Sequence, residues 1–201
     1  MHDYLRAFPD QVAALIAVEL CSLTVQRNDC SIANLVATAL FGDGAAAVIA
    51  TGANRRPAGP KVIATRSRLY PDTEDVMGWD IGSDGFRIKL SVKVTTVAEK
   101  YLGGDVRKFL ADHGLSTADI STWVCHPGGP KVIDAVENVL GLPENALDRT
   151  RESLRDNGNL SSVSVLDVLH ATMADPPPPG SIGLMIAMGP GFCSELVLLR
   201  W

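Results

Sequence analysis

Two polar side chains sit in settings suited to work on a carbonyl group. His126 ends the short run Trp123-Val124-Cys125 and is followed at once by Pro127-Gly128-Gly129-Pro130. Glycines at that point let a ligand approach the main chain, and the start of the next helix favours negative charge. A histidine so placed can donate to an oxygen that gains charge, or move a proton. The same setting also suits a histidine that merely closes a turn. Asn159 lies 33 residues on, within Gly158-Asn159-Leu160-Ser161-Ser162. Its amide can cap the helix that opens there. Alternatively it points into a pocket beside His126, giving one carbonyl oxygen two neutral donors. Each such donor is worth roughly 3 kcal/mol of barrier.

Other candidates carry less chemistry. Gly42-Asp43-Gly44-Ala45-Ala46-Ala47 has neither dinucleotide-binding nor Walker spacing, and reads as a place where small residues permit close packing of elements or subunits. Gly189-Pro190-Gly191 is, taken alone, a turn. The four cysteines, Cys21, Cys30, Cys125 and Cys193, match neither a metal knuckle nor a disulfide framework. Cys125 and His126 are neighbours on a strand, so they point to opposite faces and rarely share one ion. No metal site is expected, and no Gly-x-Ser-x-Gly hydrolase elbow is present.

The elements that position these groups follow from pattern. Tyr4–Phe8 is a short amphipathic stretch stopped by Pro9, and Val12–Val18 reads as a buried strand. Ile32, Leu35, Val36, Ala39 and Leu40 fall on one face of a helix over 31–41. Ala45–Ala50 reads as another buried strand, and 51–60 as a loop. Strands are expected at Lys61–Tyr70 and Phe86–Leu90, with a loop or insert over 71–85. Leu90, Val94, Val97, Tyr101, Val106, Phe109 and Leu110 predict a long helix that Gly103-Gly104 weakens or bends. Trp123–His126 is a short strand. Further helices run through Val132–Leu140, with Gly141 as C-cap, through 146–156, and from Ser161-Ser162 onward. Strands Ile182–Met188 and Leu196–Leu199 close the chain. Strands alternating with helices indicate an α/β protein with helices layered on sheets.

Composition narrows the classes. The chain has 201 residues, with 18 Lys and Arg against 23 Asp and Glu, a net charge of −5. That balance argues against non-specific nucleic-acid binding. Residues 1–11 carry Asp3, Arg6, Pro9 and Asp10, which leaves no signal-peptide core. The apolar runs near 12–20 and 182–190 are too short to span a bilayer. A reduced, cytoplasmic protein is expected.

Taken in order, Phe41–Ala47, Trp123–Pro130, Gly158–Ser162 and Gly189–Gly191 resemble the type III polyketide synthases, the chalcone and stilbene synthase family, with the bacterial alkylpyrone-forming branch nearest. The resemblance spans almost the whole chain. It implies a thiolase-like layered α/β fold with helices on mixed sheets. Residues 1–60 would be the tail end of an N-terminal half and 61–201 a C-terminal half. It implies a homodimer and a Cys-His-Asn triad that condenses malonyl-CoA or methylmalonyl-CoA onto a fatty acyl-CoA starter, giving pyrone or resorcinol-type products. CoA thioesters are the substrates, and no cofactor is implied. His126 and Asn159 match the family's His and Asn. Phe86 matches an aromatic at the mouth of the acyl pocket, and Ser161 and Pro190 would line or shape the cavity. The family's nucleophilic Cys lies upstream of the first residue here, and none of the four cysteines stands in its context. The chain alone is therefore expected to be inactive in acyl transfer. Two alternatives stay open. One is a relative of the ketoacyl synthases that start fatty-acid synthesis, which share the His/Asn pair but usually lack His-Pro-Gly-Gly-Pro. The other is a non-catalytic piece that binds a partner or oligomerises through an exposed apolar face.

Overall fold

A computed structural model describes residues 1–56, 59–83, 85–91 and 93–201. Along the chain come α1 (His2–Ala7), β1 (Val12–Glu19), α2 (Ile32–Leu40) and β2 (Gly44–Thr51). Then follow β3 (Lys61–Leu69), β4 (Met77–Gly82), β5 (Gly85–Leu90), α3 (Lys93–Ala111) and β6 (Ile120–Cys125). The chain ends through α4 (Pro130–Leu140), α5 (Asp148–Asn157), α6 (Ser162–Ala174), β7 (Ile182–Gly189) and β8 (Cys193–Arg200).

The main sheet has the order β3-β8-β7-β6. It is mixed: β3 with β8 and β8 with β7 are antiparallel, and β7 with β6 is parallel. Alternation sorts its side chains to two faces. Trp123, Cys125, Leu184, Ile186, Leu196 and Leu198 join Leu102, Val106 and Phe109 of α3 and Ile133 and Val136 of α4 in one buried cluster. Gly103 lets α3 and α4 close on each other, because a Cβ there would lie 2.9 Å from Val139 Cγ2 and 3.0 Å from Val139 O. The helix is continuous through Gly103-Gly104.

Two-stranded β1–β2 forms a second sheet. Helix α6 touches β1 and β2 and also β6 and β7, so it lies between the two sheets. Its valines and leucines point all round, as a helix enclosed on both sides requires.

Three expectations change. Segment 71–85 is not an irregular insert: Met77–Gly82 is a strand paired with β5, so Leu90 ends a strand and the helix begins at Lys93. The alternation Met77, Trp79, Ile81 carried that signal, diluted by Gly78 and Gly82. Strands β1 and β2 form as expected, but they are not buried: Ile16 is 73% exposed, and Val18 and Ile49 also face solvent. Helix α6 covers only one of their faces. Ser161 makes no side-chain cap; it adopts φ 54 with α6 opening at Ser162.

Candidate active site

His126 stands one residue past β6. Its N–H donates to Ile186 O on β7 at 2.8 Å, and Gly128 N–H donates back to His126 O at 2.9 Å. The turn is tight because Gly129 adopts φ 150, closed to most side chains, and Pro130 then starts α4 without a missing donor. The imidazole is partly buried. Loss of water around it pushes its pKa down to about 4. At neutral pH it is uncharged, with one N–H to give and one lone pair.

Asn159 is buried, and both its main-chain groups are tied to the end of α2. Its N–H donates to Leu40 O at 2.8 Å, and its carbonyl accepts from Gly42 N–H at 3.0 Å. Its side-chain oxygen accepts the Ser161 N–H at 2.9 Å. An amide nitrogen cannot take that place, so the contact fixes which end of the amide is oxygen and which is nitrogen. The Nδ2 group then points at Gly128 O, 3.4 Å away, in the loop that follows His126. The asparagine therefore stabilises the turn before α6 and also presents a donor toward the histidine loop.

The small residues around Asn159 act through packing. A Cβ on Gly158, at φ 72, would lie 2.8 Å from Leu40 O. A Cβ on Gly42 or Gly44 would press on Leu160 at 3.1 Å. Asp43 between them binds Ser22 through both oxygens, at 2.7 Å to N–H and 2.6 Å to Oγ. Those bonds hold its carboxyl below the usual range.

The other three expected residues lie in different places. Ser161 adjoins Asn159 through the bond just described. Phe86 is on β5, 48% exposed, its ring edge-on to Trp79 at 5.9 Å. With Trp79 and Ile81 it makes an exposed apolar face, of which sequence reasoning identified only Phe86. Pro190 is exposed in the β7–β8 turn. That turn is anchored by buried Phe192, whose N–H donates to Thr73 Oγ1 at 2.8 Å and whose carbonyl accepts Tyr70 N–H at 2.9 Å. Tyr70 is itself held by Asp105 at 2.6 Å and Ser194 at 2.9 Å, partners that no motif announced.

None of the cysteines is placed as an activated nucleophile beside this pair. Cys125 belongs to the α3–α4 core, and burial first, then Glu137, pushes its thiol well up. Burial also raises Cys21 and Cys193, helped by nearby carboxylates. Cys30 is exposed in the loop before α2. Among the described residues no group of three or more His, Cys, Asp and Glu side chains could hold a metal ion. No helix among them is long and apolar enough to cross a membrane.

Known proteins resemble this chain in sequence and fold. The profile of chalcone and stilbene synthases, C-terminal domain, matches residues 61–201. The chain is 59% identical over 206 residues to a 1,3,6,8-tetrahydroxynaphthalene synthase of Streptomyces peucetius subsp. caesius, covering 100% of this chain and 54% of that protein. It is 32% identical over 203 residues to the α-pyrone synthesis polyketide synthase-like protein Pks18 of Mycobacterium tuberculosis, covering 98% and 51%. The crystal structure of the 1,3,6,8-tetrahydroxynaphthalene synthase of Streptomyces coelicolor, a bacterial type III polyketide synthase, superposes with a TM-score of 0.94 at 32% identity, covering 100% of this chain and 57% of that one. The chain spans about half the length of the curated relatives it matches. The layered α/β arrangement is thus the thiolase-like fold of these enzymes.

Proposed function

The chain belongs to the chalcone and stilbene synthase family, and from that membership we propose that it carries the decarboxylation and condensation part of a type III polyketide synthase site. Residues 1–60 are then the end of one half of the fold, and 61–201 the C-terminal half. The observation that carries the reading is a neutral imidazole at His126 together with the buried Asn159 amide, whose Nδ2 donates to Gly128 O at 3.4 Å in the loop that follows the histidine. The thioester carbonyl of malonyl-CoA or methylmalonyl-CoA accepts hydrogen bonds from both. When CO2 leaves, its bonding electrons pass to the α-carbon and the thioester oxygen, where the two donors stabilise them. The carbon then attacks the carbonyl of an acyl group held on a cysteine. A carbon–carbon bond forms, the carbon–sulfur bond breaks, and the thiolate leaves.

That cysteine is none of the four in this chain, so the 201-residue polypeptide by itself makes no acyl-enzyme. Intact mass after incubation with a fatty acyl-CoA checks this; a thioester on Cys21, Cys30, Cys125 or Cys193 would overturn it. Phe86 borders the acyl path, with Ser161 and Pro190 shaping the cavity. The same reading makes the working enzyme a cytoplasmic homodimer whose substrates are CoA thioesters and which needs no other cofactor.

Two product classes have support. The motif resemblance and the likeness to Pks18 favour a pyrone or resorcinol-type product from a fatty acyl starter. The 59% identity to a tetrahydroxynaphthalene synthase favours a naphthalene product. The test is a single-chain fusion of this sequence behind the portion of the Streptomyces peucetius relative that it does not match. The fusion is expected to release polyketide from malonyl-CoA, with or without an added fatty acyl-CoA. His126→Ala and Asn159→Ala are each expected to slow it about 100-fold or more. Unchanged rates in either variant would refute the assignment.

A further inference from the structure

Helix α5 touches both elements that carry the candidate pair. It packs on β6, just past whose end His126 stands, and on α6, and it stops two residues before Asn159. A helix held by packing alone buries a stripe of carbon. In α5 the only aliphatic side chain is Leu154, and the two buried side chains are hydroxyls, Thr150 and Ser153. With Asn157 they fall at i, i+3 and i+7, along one face.

The near end of that stripe holds the histidine. Thr150, fully buried, donates from Oγ1 to Cys125 O at 3.2 Å. That oxygen belongs to the peptide unit joining Cys125 to His126. The N–H of the same unit donates to Ile186 O at 2.8 Å. The rigid peptide plane is thus held at both ends, and with it the direction in which the His126 side chain leaves the backbone. Among the described strands β6 is an edge of the main sheet, so a side chain rather than a further strand serves the Cys125 oxygen.

The far end holds the asparagine. Asp167 of α6 accepts at one oxygen, Oδ2, from Ser153 Oγ at 2.7 Å and from Asn157 Nδ2 at 3.1 Å. Ser164, also buried, accepts the Leu160 N–H at 2.7 Å. The end of α5 and the start of α6 are pinned together around Asn159. We propose that Thr150 and Asp167 are positioning residues, with α5 as the strut that sets His126 against Asn159. The inference rests on the proposed function, since both residues act through the pair and not on substrate. Two donors share one oxygen only when both are aimed at it, so misplacing either slows the step in which charge develops rather than weakening binding.

The test joins kinetics on the single-chain fusion to side-chain NMR on the 201-residue chain. Thr150→Val keeps the shape and removes the hydroxyl, while Thr150→Ser keeps the hydroxyl. Asp167→Ala removes the acceptor, while Asp167→Asn keeps one oxygen. Thr150→Val and Asp167→Ala should each lower kcat for CO2 release from malonyl-CoA about tenfold, with KM changed less than about twofold. Thr150→Ser and Asp167→Asn should restore the rate to within about threefold of the parent. In the chain itself, Thr150→Val should shift the His126 ring signals and Asp167→Ala the Asn159 side-chain amide signals. Equal rates in Thr150→Val and Thr150→Ser would overturn the inference, as would a loss that sits in KM or only tracks the folded fraction. Should Thr150→Val fail to fold, Asp167→Ala at its half-buried site decides alone, and unmoved Asn159 signals overturn the strut. A parent fusion that releases no CO2, with both NMR shifts present, would leave the positioning standing and sink the functional reading. An active fusion indifferent to all four substitutions would do the reverse.

Discussion

Leu196 and Leu198 of β8 are sealed between the main sheet and its helices, while Ile16 and Val18 of β1 stand in water. Both strands contain an aliphatic run, and both are eight residues long. Among the described residues Leu5 is the only buried apolar side chain before residue 61, whereas residues 61–201 close around two buried clusters. The difference teaches that an apolar strand declares only what it needs. Whether the need is met depends on how many layers the rest of the polypeptide supplies.

The sharpest way to break this contrast is to cut side chains on each side of it. Leu184→Ala removes a fully buried side chain from the α3–α4 core and is expected to cost about 3–4 kcal/mol in urea unfolding. A loss below 1 kcal/mol would mean that the core is not where the stability lies. Titration comes next. The folded chain protonates His126 near pH 4, while the unfolded chain does so near 6.5. Between those values the unfolded state holds more protons. Stability is therefore complete above pH 6.5 and falls by about 2 kcal/mol as pH drops to 4, the full shift being discounted for the partly exposed ring. His126→Gln should flatten that limb of the stability curve; a curve of the same shape would remove the imidazole as its cause.

Gly158→Ala tests the joint between the two stretches. It places a Cβ at φ 72 and 2.8 Å from Leu40 O, so about 1–3 kcal/mol should be lost. Its NMR signature should be a shifted Asn159 amide, and an unmoved Asn159 would separate the glycine from the site. The smallest effect belongs to Ile16→Ser. On the isolated chain it should change stability by less than about 0.5 kcal/mol. A larger loss would show that the β1–β2 face is covered in solution.

Much of this was legible from residue order. The helices over 31–41 and Val132–Leu140 follow from periodicity, and residue type and setting single out His126 and Asn159. What could not be seen was long-range. Nothing near Asn159 says that Leu40 and Gly42 grip its main chain, since that pairing joins residues more than a hundred positions apart. Tyr70, Asp105 and Ser194 meet only because β3, α3 and β8 converge. The strand at Met77–Gly82 was hidden because Gly78 and Gly82 dilute its alternation. The exposure of β1 was hidden for the opposite reason: its apolar run is real, and the missing information was what surrounds it.

Amide hydrogen exchange on the isolated chain, read by mass spectrometry, measures the contrast directly. Peptides over β6, β7 and β8 should exchange only when the core opens, and should be protected about 10³-fold more than peptides over β1 and β2. Equal protection in the two sheets would contradict the account, because it would mean that residues 1–60 already form a closed structure.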